Sequence, residues 1–181
     1  MIIAGIDPGF SGAIARLDIQ PSQYEFLGIN NSMVTVELFD MPVLKISDKK
    51  KTRAEMDLPT LIEILKPCSH VILEKAQPMR KSEKGPDGYE KGRTQGVSSS
   101  GRYMAAWGMI KGILAALHIS YTEVHPITWK KALMGDMPKE KEASILRAKQ
   151  LYPNVELPRK KDHGKADALL IASWGITQLL K

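Results

Sequence analysis

The chain has 181 residues, 43% hydrophobic and 25% charged, which suits one domain (1–181) with a single sizeable core and excludes a compositionally disordered chain. Lysine and arginine outnumber aspartate and glutamate by 26 to 20, giving +6, a balance that suits a polyanion such as nucleic acid, although a merely solvated basic surface gives the same count. The single cysteine, Cys68, excludes an internal disulfide and fits a reducing compartment, and no apolar run approaches the length of a membrane span.

Met1-Ile2-Ile3-Ala4-Gly5-Ile6 runs straight into Asp7 with no charged-then-apolar leader, so a soluble, cytoplasmic protein is expected (host cytoplasm if a phage encodes it). Ile2 to Ile6 reads as a buried strand, Pro8-Gly9-Phe10-Ser11-Gly12 as a turn, and Ala13 to Leu17 as a returning strand. Tyr24 to Ile29 and Val34 to Phe39 are further strand candidates, and a three-stranded antiparallel meander is the simplest arrangement. Lys45 to Arg53 reads as a polar, lysine-rich connection. Asp57 before Leu58-Pro59 predicts an acidic cap and a helix to about Leu65.

Cys68 precedes His70-Val71-Ile72-Leu73, a second buried strand that ends in Glu74; the cysteine is expected as a small buried hydrophobe. Residues 76 to 101 change character, rich in Gly, Ser, Lys and Arg, and a loop of that length is usually functional or disordered. Tyr103 to Leu117 has helical spacing, Ile119 to Val124 reads as a strand, and Pro126 to Leu133 as a short helix ended by Gly135. Lys139 to Leu151 is amphipathic, and Ala166 to Leu180 is a final long helix. Strands first and helices interleaved later predict an α/β domain with a mixed sheet.

Three acids stand out by position. Asp7 and Glu74 each close a buried strand at its C-terminal edge, so neighbouring strands would bring them together; Asp167 opens the last apolar helix. Carboxylates on rigid elements suit Mg²⁺, a hard cation that takes oxygen ligands. Taken singly, each has a plainer explanation: a turn-forming Asp before Pro-Gly, a solvated strand end, an acid favoured by a helix dipole.

Read together, Gly5-Ile6-Asp7-Pro8-Gly9, then Ile72-Leu73-Glu74, then Gly164-Lys165-Ala166-Asp167-Ala168-Leu169-Leu170-Ile171-Ala172 resemble the RuvC-type Holliday junction resolvases. The likeness extends over nearly the whole chain, including Val124-His125-Pro126 and Thr128-Trp129-Lys130-Lys131, and points to the phage and chloroplast-like branch. It implies an RNase H-like mixed five-stranded sheet flanked by helices. It also implies an endonuclease that hydrolyses phosphodiesters in four-way or other branched DNA as a symmetric homodimer. The catalytic set it implies is Asp7, Glu74, Asp167 and a fourth group on the last helix. His163, four residues before Asp167, is the expected fourth ligand, with Asp162 as the competing candidate. The implied cofactor is a pair of Mg²⁺ ions about 4 Å apart, with Mn²⁺ as a substitute.

Arg80, Lys81, Lys84, Lys91, Arg93 and Arg102 crowd the segment after Glu74 and are expected on the DNA, as are Lys130 and Lys131, and Lys160 and Lys161. Pro78, Met79 and Tyr89 are candidates to wedge into or stack on bases at a branch point. Trp107 and Trp129 are expected in the core, with no role assigned. Three rival readings carry different consequences. An ATP-dependent phosphotransferase of the actin and sugar-kinase type shares the Asp-Pro-Gly opening but needs a second phosphate loop and a longer chain. A junction-binding protein that does not cut would not need all three acids. A nuclease for flaps, forks or RNA–DNA hybrids would share the same metal site.

Overall fold

The computed structural model describes residues 1–20, 34–48, 51–76, 97–138, 140 and 142–179. Seven strands and five helices follow one another in it: β1 (Ile2–Asp7), β2 (Ala13–Asp18), β3 (Thr35–Asp40), β4 (Val43–Asp48), β5 (Lys51–Met56), α1 (Leu58–Leu65), β6 (His70–Glu74), α2 (Val97–Ala116), β7 (Ser120–Val124), α3 (Pro126–Met134), α4 (Ala143–Leu151) and α5 (His163–Leu179).

One mixed five-stranded sheet has the order β3-β2-β1-β6-β7. β1, β2 and β3 form the antiparallel meander that the sequence predicts, and β6 and β7 run parallel to β1. Alternation along the strands sends side chains to two separate cores. Ile3, Ala13, Ala15, Leu17 and Ile72 face the layer built from α3, α4 and α5. Ala4, Ile6, Ile14, Val71 and Leu73 face α1 and α2. The result is helix, sheet, helix, with α5 buried almost all round because it lies between the sheet and its neighbouring helices.

α5 sits unusually close to the sheet. A Cβ at Gly5 would meet the Ala168 carbonyl oxygen at 2.2 Å, and one at Gly175 would meet the Ile72 side chain at 2.1 Å. Glycine at both points is what lets this helix cross β1 and β6 at backbone contact.

Three boundaries differ from the sequence reading. The stretch from Lys45 to Arg53 is no simple connection: its described residues belong to β4 and β5, which pair with each other in a separate two-stranded sheet. Its Leu44–Ile46 and Arg53–Met56 segments alternate weakly between polar and apolar, so charged residues hid the period. α2 begins at Val97, several residues before Tyr103. α5 begins at His163 and not at Ala166, because a 3-10 turn, Lys160–Asp162, leads directly into it. Asp167 therefore lies in the second turn of the helix, away from the first-turn position where a dipole alone would explain it. The strand candidate Tyr24 to Ile29 lies outside the described residues. Among the described residues, no helix is long and apolar enough to cross a membrane.

Candidate active site

Parity places the first two acids. Asp7 follows Ile3 and Gly5 on the α5 side of β1, and Glu74 follows Ile72 on the same side of β6. The parallel register pairs Ile6 with Leu73, so Asp7 and Glu74 end their strands side by side. Both strands run on into the same sheet edge, and α5 passes over it carrying Asp167. The turn after Asp7 is tight: Gly9 has φ of +126°, a region that favours glycine, and the Gly12 amide donates to the Gly9 carbonyl at 3.1 Å. Gly164 lies under Asp7, where an added Cβ would stand 3.6 Å from Asp7 Oδ2.

The charges of these groups act on one another. Burial, then Glu74 and Asp167, push the Asp7 carboxyl up to about 8, with Lys130 pulling the other way. Burial raises Glu74 as well, opposed by the Trp129 hydrogen bond and Lys130 and reinforced by Asp167. Burial raises Asp167, opposed by the Ser144 hydroxyl, Lys130 and His163. Asp167 Oδ1 is buried with no hydrogen-bond partner. An orphaned carboxylate oxygen inside a cluster of mutually repelling acids suits a hard divalent cation. The side chains are not closed on a single point, however: among the described residues, no three His, Cys, Asp or Glu groups meet the spacing of a finished ion site. Glu74 is held by Trp129, whose Nε1–H donates to Oε2 at 2.7 Å.

The two candidates for the fourth position are now distinguishable by their contacts. Asp162 is 2% exposed and fully engaged. Its Oδ1 accepts from Arg159 Nε at 2.9 Å and Nη2 at 2.5 Å, and its Oδ2 accepts from the Arg159 amide at 2.9 Å. The Arg159 bonds hold its carboxyl below the usual range. It caps the turn that starts α5. His163 is exposed and shares a cavity of about 460 Å³ with Asp167, Lys130, Met134, Met137 and Ser144. Its Nδ1 lies 3.1 Å from the Lys161 carbonyl oxygen. The Gly164 amide also lies against Nδ1, at 3.0 Å, so the backbone occupies that side of the ring.

Of the expected DNA contacts, Lys130 belongs to the acid cluster by its electrostatic effect on Asp7, Glu74 and Asp167. Lys131, Lys160 and Lys161 are exposed on α3 and on the turn before α5. Arg102 is committed elsewhere: it donates to the Ala54 carbonyl at 2.9 Å and stacks on Phe10 at 4.6 Å, tying α2 to the β4–β5 pair and to the turn after Asp7. Arg80, Lys81, Lys84, Lys91 and Arg93, with Pro78, Met79 and Tyr89, lie outside the described residues.

Two residues at the site are given no role by the sequence. Tyr103 packs its ring where a Gly9 Cβ would stand, at 3.2 Å. Burial, with Glu74 and Asp7 behind it, pushes its hydroxyl well above the ordinary range. Trp129 is fully buried, as expected of a core residue, but it also bonds Glu74. Only the pairing of Glu74 with Val124, just before α3, brings the two together.

No family model matches the chain. A stretch of 78 residues, 41% of the chain, is 36% identical to "Holliday junction resolvase MOC1, chloroplastic" of Chlamydomonas reinhardtii, and the match spans 9% of that protein's length. Among solved structures, Thermus thermophilus RuvC aligns over 99% of this chain and 96% of its own, with a TM-score of 0.57 at 17% identity. The same protein in complex with a Holliday junction substrate aligns over the same shares, with a TM-score of 0.58 at 15% identity. The yeast mitochondrial Holliday junction resolvase Ydc2 aligns over 98% of this chain and 79% of its own, with a TM-score of 0.53 at 12% identity. The chain thus has the RNase H-like fold of RuvC.

Proposed function

We propose that this chain is a metal-dependent endonuclease that cuts branched DNA, the four-way junction foremost, with Asp7, Glu74, Asp167 and His163 as its metal-binding set. The observation that carries this reading is that three half-buried acids from β1, β6 and α5 lie near enough to raise one another's carboxyls, with Asp167 Oδ1 left without a hydrogen-bond partner. Such a group of like charges is costly to bury and is kept where a cation is to be held. Divalent ions bound there would supply an activated water and offset charge on the departing oxygen, which gives phosphodiester hydrolysis. Mg²⁺ fits the all-oxygen acids, and a histidine at the fourth place also admits Mn²⁺.

The chain's own residues have separate tasks in this reading. Lys130 reaches the acids and would meet the phosphate entering the cleft, while Lys131, Lys160 and Lys161 would add exposed cations. Support for the junction as substrate comes from the names of the relatives and from the bound junction in the Thermus structure. A homodimer would present two such sites to the two equivalent strands of a junction. The exposed face of α2 suits that role, since Ala105, Gly108, Met109, Gly112 and Ala116 lie on it and space is open around Gly108 and Gly112.

The test is to incubate the protein and Mg²⁺ with a four-way junction, a flap, a fork and a linear duplex of matched sequence. Paired symmetric nicks across the junction are the expected result. Dominant flap or fork cutting would move the substrate while keeping the metal site, and no cutting of any substrate would favour a binding protein.

A further inference from the structure

Glu74 has the longest side chain of the three acids and stands at a strand end, where nothing in the strand itself fixes its rotamer. One side chain does fix it. The Trp129 indole is 0% exposed, reaches from α3 into the core shared with α5, and donates its only N–H to Glu74 Oε2 at 2.7 Å. We propose that Trp129 is a positioning residue for metal binding, holding the Glu74 carboxylate in place before a divalent ion arrives. The proposal rests on reading Glu74 as a metal ligand.

The choice of tryptophan has a physical logic. A lysine or arginine could hold the same carboxylate, but its positive charge would oppose the incoming cation. The indole is neutral, has no lone pair to compete as a ligand, and leaves the full negative charge on Glu74. One N–H takes one lone pair of Oε2, so Oε1 remains for a cation. Burial keeps the indole from swinging away, and the β6–β7 pairing of Glu74 with Val124 fixes its distance from the carboxylate. Lys130, next in sequence, lies over the same indole at 5.1 Å, so one short segment both orients the acid and delivers a phosphate-neutralising charge.

The test compares the natural protein with Trp129→Phe, which keeps an aromatic ring in the core and removes the N–H. Junction cleavage is titrated with Mg²⁺, and junction binding is measured in EDTA. The expected result is a rise of roughly 10- to 100-fold in the Mg²⁺ concentration for half-maximal cleavage, with much of the maximal rate recovered at saturating Mg²⁺ and EDTA binding unchanged. An unchanged Mg²⁺ midpoint overturns the proposal, whether the rate is normal or uniformly low. A second measurement needs no variant at this position: the Trp129 indole N–H resonance, assigned with Trp107→Phe and Trp174→Phe, is followed during Mg²⁺ titration. It is expected to shift with the midpoint seen in cleavage, and a resonance indifferent to Mg²⁺ refutes the coupling. Glu74→Gln separates the two levels. If it cleaves normally, the metal-site reading itself is wrong; if it is inactive while Trp129→Phe titrates like the natural protein, only the positioning role falls.

Discussion

Asp7 is where the charges of the site converge, and its titration has a consequence for stability. Its carboxyl sits at about 8 in the folded protein against 3.8 for an unperturbed aspartate, because burial and its acidic neighbours disfavour the ionised form. Between those values the folded state holds a proton that the unfolded state has released. Stability of the metal-free protein therefore falls as pH rises from about 4 to about 8, by up to about 1.4 kcal/mol per pH unit from this group, and levels off above. Asp7→Asn is expected to melt several degrees above the natural protein at pH 8 in EDTA, with the gap closing towards pH 4; thermal melts across that range check it. The neighbouring pair behaves differently. Asp162→Asn should cost about 1 kcal/mol by weakening the cap of α5, with no change in metal requirement. His163→Ala should raise the Mg²⁺ requirement with little change in melting temperature. The sequence left this pair open, since both residues sit before the same helix; what separates them is Arg159, whose three bonds consume Asp162. Tyr103 and Trp129 were illegible as site residues for a related reason: each reaches the acids from a helix distant in sequence.

At the scale of elements, the strands that carry Asp7 and Glu74 were readable because short β-branched runs end in an acid, and the meander follows from a tight Gly-rich turn. Helix starts were less readable. The apolar run of α5 predicts a beginning at Ala166, but the Arg159–Asp162 cap moves it to His163 and carries Asp167 into the second turn. The seating of α5 on β1 is what aims that residue, and it depends on Gly5. Gly5→Val would force its side chain into the Ala168 carbonyl and is expected to destabilise the fold by about 3 kcal/mol or more, measurable by urea unfolding. The same substitution should reduce cleavage beyond what the unfolded fraction explains, because Asp167 moves with the helix. The β4–β5 pair was hidden by the charged residues spread through it, and Arg102 ties it to α2 and Phe10. Short strands that mix charged residues with few apolar ones present a weak hydrophobic period, which is the signal that strand recognition needs.

Over the whole molecule, the sheet order β3-β2-β1-β6-β7 places the ends of β1 and β6 next to each other under α5, and the candidate site depends on that adjacency. Composition anticipated a basic protein, but charge alone does not say where a polyanion would lie; the lysine that acts on all three acids, Lys130, comes from α3. Substituting arginine for Gly108 or Gly112 on the open face of α2 is expected to leave a folded monomer that has lost paired symmetric cutting. Sedimentation and product mapping check both parts. The central claim is that three acids drawn from distant parts of the chain act together on a phosphodiester. Its most direct measurement is junction cleavage in Mg²⁺ by Asp7→Asn protein, with junction binding measured in parallel in EDTA. Cleavage is expected to vanish while binding stays close to that of the natural protein; cleavage at the natural rate would contradict the assignment of the site.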